Sequence, residues 1–177
     1  MNIQYAILGL LSWRPSSGYD LKKFFADSAA FYWSGNNNQI YRTLLQLQSE
    51  DLVTHETQYQ ESLPARKIYT ITAKGLAALR KWLLTTPELP EFRNTFLVQL
   101  AWADLLNDAE LDALLATYEE EARVQMLMRQ EQARRQDPSP ARSRREAYLW
   151  EMIARNVVTA YENELRWVQE VRAGLSQ

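Results

Sequence analysis

The 177-residue chain has no cysteine, a single histidine and no apolar run of about 18 residues, the length that a membrane-spanning helix needs. Without cysteine, the sequence excludes disulfides, thiolate zinc sites and cysteine nucleophiles. The N-terminal segment lacks the basic start and the small-residue cleavage site that are typical of a signal peptide. We therefore expect a cytoplasmic protein without a membrane segment.

Sequence motifs for catalysis are also missing. His55 lies in a predicted strand, and no Ser/His/Asp set or HExxH zinc motif can be built around it. No GxGxxG or GxxxxGK[ST] loop is present to hold a nucleotide. The consecutive carboxylates of Glu119, Glu120 and Glu121 fan around a helix rather than converge on one point. The sequence thus predicts a protein that is not an enzyme and that uses no metal or cofactor.

An excess of basic residues, the usual mark of a nucleic-acid-binding protein, is missing from the chain as a whole, whose formal net charge is -2. The charge is divided unequally, however. Residues 1–85 carry nine Lys and Arg against six Asp and Glu, a net charge of +3. Residues 86–177 carry eleven against sixteen, a net charge of -5. A mildly basic part is therefore joined to an acidic part.

The two parts meet at Pro87 and Pro90, which bar helix continuation and indicate a linker. We accordingly predict domains at residues 1–86 and 87–177. In the first domain, residues 3–13 predict a short buried helix. Ser17, with Asp20 three residues later, is typical of the start of a second helix. A third helix is predicted from Ser34 to about Asp51, and its apolar residues recur at helical spacing.

Two short strands follow, over residues 52–57 and 67–72, and the stretch between them is predicted to be a loop. A fourth helix is predicted from about residue 73 to residue 84. Three helices, a two-stranded hairpin and a further helix, in that order, indicate a winged helix-turn-helix domain. Its third helix is the recognition helix and its hairpin is the wing.

The second domain is predicted to be all helical, with helices over residues 91–106 and 108–135 and a third that ends near Leu175. In this last helix, apolar residues recur every three or four positions from Trp150 onward, a coiled-coil-like seam. Two such long helices cannot bury their apolar faces on the first domain alone, so we expect a two-fold homodimer. The predicted fold class is mainly α, a winged helix-turn-helix domain followed by an all-helical C-terminal dimerisation domain with long coiled-coil-like helices.

Five short segments of the first domain resemble the transcriptional regulators of the PadR family in their order and spacing: Ile7-Leu8-Gly9-Leu10-Leu11, Ser17-Gly18-Tyr19-Asp20-Leu21, Gln39-Ile40-Tyr41-Arg42-Thr43-Leu44, Pro64-Ala65-Arg66-Lys67 and Tyr69-Thr70-Ile71-Thr72-Ala73-Lys74-Gly75. The second domain resembles the virulence-activator-like C-terminal region of one PadR subfamily. The resemblance implies a DNA-binding dimer, usually a repressor, whose ligand varies between members.

The sequence departs from this family pattern at two positions. Asp51 stands where members usually carry a glycine in the left-handed conformation, and Asp tolerates that conformation better than most residues. Asn38 stands where many members carry a small residue, which affects the base preference rather than the fold.

A recognition helix needs polar side chains near its N-terminus to reach base edges and nearby cations to bind phosphates. Amide side chains suit adenine, and an arginine suits guanine or phosphate. The wing and the start of the fourth helix supply further cations. We predict these residues as DNA contacts: Asn36, Asn37, Asn38, Gln39, Tyr41, Arg42, Gln46, Arg66, Lys67 and Lys74.

Each of these assignments has a structural alternative. The asparagines can form a helix-capping loop, Arg66 and Lys67 can be a solvated pair on a hairpin, and Tyr41 can pack in the core rather than donate to a phosphate. The family resemblance favours the DNA contacts.

Aromatic residues of the second domain could line a site for a small aromatic or phenolic effector: Phe92, Phe96, Trp102, Tyr148 and Trp150. Packing in the core and in the dimer interface is the more common role of such residues.

Together, these features predict a sequence-specific regulator of transcription, a repressor that binds a pseudo-palindromic operator in double-stranded DNA as a homodimer. An effector in the second domain would release it from DNA. The alternative is a helical dimeric interaction module whose winged domain binds protein rather than DNA.

Overall fold

The chain folds into two compact units, Met1–Glu88 and Leu89–Gln177, in a computed structural model that describes residues 3–28, 37–60, 63–90, 94–135 and 140–175. The first unit contains α1 (Ile3–Leu11), β1 (Ser16–Ser17), α2 (Gly18–Asp27), α3 (Asn37–Ser49), β2 (Val53–Gln60), β3 (Leu63–Ile71) and α4 (Ala73–Leu83). The second contains α5 (Thr95–Ala101), a short 3₁₀ helix (Ala103–Leu105), α6 (Asp108–Arg135) and α7 (Arg144–Leu175). This element order confirms the predicted fold class.

The core of the first unit is built on α1, whose apolar residues pack against α3, α4 and the sheet. Ile7 and Leu8 of α1 are fully buried, as are Leu44 and Leu47 of α3. Burying a side chain of this size stabilises the fold by about 1.5–3 kcal/mol. Because α3 turns its apolar residues toward this core, its polar residues are left on the outer face.

Short-range hydrogen bonds define the ends of α2 and α3. Ser17 Oγ accepts from the backbone N–H of Asp20, and the Asp20 carboxylate accepts from the Ser17 N–H, which confirms the predicted helix start. At the end of α3, Asp51 has a φ of 57°, and the N–H of Leu52 donates to the Leu47 carbonyl at 2.8 Å. This is the Schellman arrangement, and it confirms that Asp51 adopts the left-handed conformation.

The sheet has the order β1-β3-β2 and is antiparallel throughout, with Ser16 and His55 both paired with Tyr69. The sequence-based prediction of the wing was wrong in length. β2 extends to Gln60 and β3 begins at Leu63, where the sequence indicated a loop. Pro64 lies in this stretch, and a proline within a run argues against a strand, so the sequence favoured a loop there. β1 was not predicted, because it is two residues long and is formed only by backbone pairing.

The second unit buries Phe96 of α5 among residues of α6 and α7, including Leu115, Ala122, Leu165 and Val168. α6 has the predicted bounds. The predicted helix over residues 91–106 was wrong, because α5 starts only after Asn94 and ends before Trp102. Asn94 Oδ1 accepts from the N–H of Phe96 at 2.9 Å and so defines the helix start.

The long apolar seam of α7 is only partly covered within one chain. Leu165 and Val168 are buried, whereas Ile153 and Leu175 are 42% and 58% exposed. Within the described segments, no helix combines the length and the apolarity that crossing a bilayer requires. The same segments contain no cluster of side chains that could hold a metal ion.

Candidate nucleic-acid interface

The outer face of α3 is the main polar surface that the sequence singled out. Ile40, Leu44 and Leu47 are buried and fix the rotation of the helix about its axis. As a result, an exposed stripe runs along the opposite side, through Asn38, Gln39, Arg42, Leu45, Gln46 and Ser49. Asn36 lies outside the described residues. Asn37 opens α3, but its side chain is not among those described.

Two side chains on this stripe have the reach and chemistry to read bases. Among the residues that the structure describes, none forms an ion pair or a hydrogen bond with the Arg42 guanidinium, which is exposed. The Gln46 amide donates to Glu50 Oε1 at 2.9 Å, and both groups are exposed. Base edges can therefore replace this contact at little cost, because an exposed hydrogen bond competes with water.

Tyr41 packs against α2 and is also partly exposed. Its ring packs against the start of α2, where a β-carbon on Gly18 would lie 2.5 Å from Tyr41 Cε1. The side chain nevertheless stays 46% exposed. Tyr41 thus connects the first turn of α2 to α3 while remaining accessible at the surface.

The predicted phosphate-binding cations of the wing and of α4 have different surroundings. Arg66 Nη2 donates to Asp20 Oδ2 in a short hydrogen bond and to Ser17 Oγ at 3.1 Å, so it faces α2. Lys67, the next residue on β3, is exposed. Lys74 Nζ lies 3.6 Å from Asp51 Oδ2, and both side chains are largely exposed, so this pair contributes little to stability.

The pairing with Arg66 changes the acidity of Asp20. Burial by itself would raise the pKa of this carboxyl group. The hydrogen bonds from Ser17 and the contact with Arg66 outweigh burial and lower the pKa below its usual value of 3.8. Asp20 is therefore ionised at neutral pH and holds the guanidinium through a charge-assisted hydrogen bond.

Leu45 and Ser49, which were not predicted from the sequence, complete the exposed stripe of α3. Leu45 is 57% exposed and lies beside Leu44 in the sequence, so it resembles a core residue. Only the helix rotation set by Ile40, Leu44 and Leu47 shows that it faces outward. An outward apolar side chain on a recognition helix can contact a thymine methyl group.

Among the described aromatic residues that the sequence suggests for an effector, Tyr148 and Trp150 line one groove, whereas Phe96 and Trp102 do not. Phe96 is buried, with its ring stacked on Tyr118 at a centroid distance of 3.6 Å. Trp102 is 70% exposed, and Phe92 lies outside the described residues.

Tyr148 and Trp150 instead line an open groove between α6 and α7, beside Gln130. Gln130 lies about 18 Å further along α6 than Tyr118, the residue on which Phe96 stacks. The groove is therefore separate from the position of Phe96. The same groove is lined by Arg134, Arg144 and Arg155 and by the acidic residues Glu151 and Glu162. The groove thus offers aromatic rings beside charged side chains of both signs, three basic and two acidic.

Comparison with known proteins adds the family context. Residues 7–81 match the model of the transcriptional regulator PadR-like family, and residues 92–176 match the model of the virulence activator alpha C-terminal region. The negative transcriptional regulator PadR of Bacillus subtilis is 33% identical over 113 residues, which is 63% of this chain and 62% of that protein. A probable transcriptional regulator of Mycobacterium tuberculosis, Rv1176c, is 36% identical over 83 residues, 47% of this chain and 44% of that protein.

The chain therefore spans about three fifths of one curated relative and less than half of the other in these alignments. Both relatives are named as transcriptional regulators.

Solved structures match over nearly the whole chain. The crystal structure of B. subtilis PadR in complex with operator DNA has a TM-score of 0.82 and 25% identity, and the match covers 98% of both chains. The Vibrio cholerae virulence activator AphA has a TM-score of 0.72 and 27% identity, over 99% of this chain and 98% of that chain. B. subtilis PadR in complex with p-coumaric acid, at 23% identity and a TM-score of 0.80 over 99% of both chains, shows the same fold.

Proposed function

Because the chain belongs to the transcriptional regulator PadR-like family, we propose that it is a sequence-specific regulator that binds a pseudo-palindromic operator as a homodimer. The observation that carries this proposal is the division of α3 into a buried apolar face and an exposed polar face. A helix of this kind can lie in the major groove with its N-terminal side chains on base edges. As a repressor, the protein would act in the cytoplasm, where the DNA is.

We assign the base and phosphate contacts by chemistry. Asn37, Asn38 and Gln39 offer amides at the start of α3, Asn36 precedes them in the sequence, and Arg42 and Gln46 follow one and two turns further on. Arg42 suits a bidentate contact to guanine. Tyr41, Lys67 and Lys74 reach the DNA backbone.

Homodimerisation is proposed from the second unit. Apolar side chains remain exposed on α6 and α7, among them Leu127, Met128, Leu149, Met152 and Ile153. A two-fold interface between copies of this surface would remove it from water and place two recognition helices on successive turns of the DNA.

An effector bound in the groove of Tyr148 and Trp150 would release the protein from DNA. A flat phenolic acid could stack on Trp150 and pair its carboxylate with Arg134, Arg144 or Arg155. The p-coumaric acid bound by B. subtilis PadR belongs to this chemical class. Titration calorimetry with p-coumaric acid tests this step. Trp150→Leu should abolish the heat of binding, and Trp102→Leu, on an exposed tryptophan, serves as the control.

DNA binding is tested by fluorescence anisotropy on a duplex that the wild-type protein enriches from a random library. Affinity should fall steeply with salt, as several phosphate contacts require. Arg42→Ala should weaken binding by about 5- to 150-fold, the size of one lost base contact, and should relax the preferred sequence. Arg80→Ala, which removes an exposed arginine of α4, is the matched control.

The alternative, a module whose winged domain binds protein, predicts the opposite outcome. It would be supported if the library yields no enriched sequence and binding to any duplex does not depend on Arg42.

A further inference from the structure

Arg66 joins the wing to the helix-turn-helix through a compact cluster of three side chains. Its Nη2 donates to Asp20 Oδ2 and, at 3.1 Å, to Ser17 Oγ. The same carboxylate oxygen accepts from Ser17 N at 3.0 Å and from Ser17 Oγ at 2.8 Å. The Arg66 and Asp20 side chains are 39% and 36% exposed, so water does not fully screen their contact.

The cluster connects elements that are distant in the sequence but adjacent in the fold. Ser17 is the N-cap of α2, and its backbone pairs with Ile68 of β3. Arg66 lies two residues before Ile68, on the part of β3 that has left β1 and pairs only with β2. Between Ile68 and the tip of the wing, β3 no longer pairs with β1. There, the side chain of Arg66 attaches the two-stranded ribbon of the wing to α2.

We propose that Arg66 is a positioning residue, held by Asp20, that sets the wing relative to α2 and α3, and that the wing's phosphate contact comes from Lys67. Successive residues on a strand point to opposite faces, so Lys67 is directed away from the side on which Arg66 meets α2. Lys67 is exposed. This inference rests on the proposed DNA-binding function.

The test compares Asp20→Asn, Arg66→Met and the double variant with Lys67→Met as the matched control. Asp20→Asn keeps an oxygen that can accept from Ser17 but loses the charge that holds Arg66. Each variant is measured on the enriched duplex and on a scrambled duplex, over a series of salt concentrations. Circular dichroism at the assay temperature monitors folding.

If Arg66 positions the wing, Asp20→Asn and Arg66→Met should each weaken binding to the enriched duplex by about fivefold or more. The double variant should be no weaker than either single variant, because both remove the same contact. Binding to the scrambled duplex should change less, and the salt slope should stay that of the wild type. Lys67→Met should weaken both duplexes alike and lower the slope by about 1 per protomer.

The proposal is overturned if Arg66→Met lowers the salt slope as Lys67→Met does while Asp20→Asn leaves binding unchanged or tighter. It is also overturned if neither variant changes affinity, or if both unfold at the assay temperature, because the cluster would then support the fold rather than the wing position. Failure of the wild-type protein to bind any duplex would instead refute the proposed function.

Discussion

Gly75 is a position where a single added methyl group should destabilise the fold. It lies in the first turn of α4, directly against the turn that follows α3. A β-carbon there would lie 2.1 Å from the Leu52 carbonyl oxygen and 2.9 Å from Ile71 Cγ1. The carbonyl cannot move away freely, because it accepts from the backbone N–H of Thr72 at 3.0 Å and from Thr72 Oγ1 at 3.1 Å.

Gly75→Ala should therefore separate α4 from the end of α3. Overpacking costs about 1–3 kcal/mol, and weakening the hydrogen bonds of Thr72 adds about 1 kcal/mol. The higher helix propensity of alanine offsets this loss of stability by at most about 1 kcal/mol. A net loss of about 2 kcal/mol lowers the melting temperature of the first unit by roughly 8–16 °C.

Thermal unfolding followed by circular dichroism measures this shift. Gly9→Ala is the matched control, because a β-carbon on Gly9 of α1 meets no atom within 4 Å. That variant should be as stable as the wild type or more stable by up to about 1 kcal/mol. Equal melting temperatures for Gly75→Ala and the wild type would refute the close approach of α4 to Leu52.

Three further predictions concern single side chains. Asp51→Gly should stabilise the protein by up to about 1 kcal/mol in urea unfolding, because φ is 57° there, whereas Asp51→Val should destabilise it. Tyr118→Phe should lower the unfolding free energy by about 1–2 kcal/mol, because the hydroxyl donates to Glu164 and accepts from Asn94 Nδ2 at 3.1 Å. The folded-state pKa of Asp20 lies below 3.8, so its contribution is present above that pH and is lost as the pH falls through the folded value. Asp20→Asn should accordingly flatten the acid side of the stability profile, and unchanged acid sensitivity would contradict the pairing.

Local signals in the sequence predicted much of the first unit. The start of α2 depends on Ser17 and Asp20, three residues apart, and the end of α3 depends on the conformation of Asp51 alone. Interactions of this range can be recognised in a short stretch of sequence. The order of helices and strands followed from them, and the order was sufficient to indicate the winged helix-turn-helix.

Contacts between distant residues could not be predicted in this way. Arg66 lies 46 residues after Asp20, and only the antiparallel register of β3 brings the two together. For the same reason, the sequence could not show that Phe96 packs on Tyr118 of α6, whereas Trp150 of α7 lines a groove beside Gln130. The length of the wing was not predicted because Pro64, which lies within the observed β3, favours a loop in the sequence alone.

The modest charge of the first unit leads to the last prediction. The net charge of residues 1–85, +3, is too small to hold DNA by non-specific attraction alone, so operator affinity should depend on the DNA-binding units of two protomers that bind together. Ile153→Glu places a charge on the exposed apolar surface of α7 and should reduce the sedimenting species from twice 20.7 kDa to 20.7 kDa. The same variant should lower operator affinity by about 100-fold or more, as the loss of bivalency requires. Asn163→Glu, on an exposed position of α7, adds the same single negative charge and is the control. A monomeric Ile153→Glu variant with wild-type affinity would contradict both the dimer and the division of charge on which this argument depends.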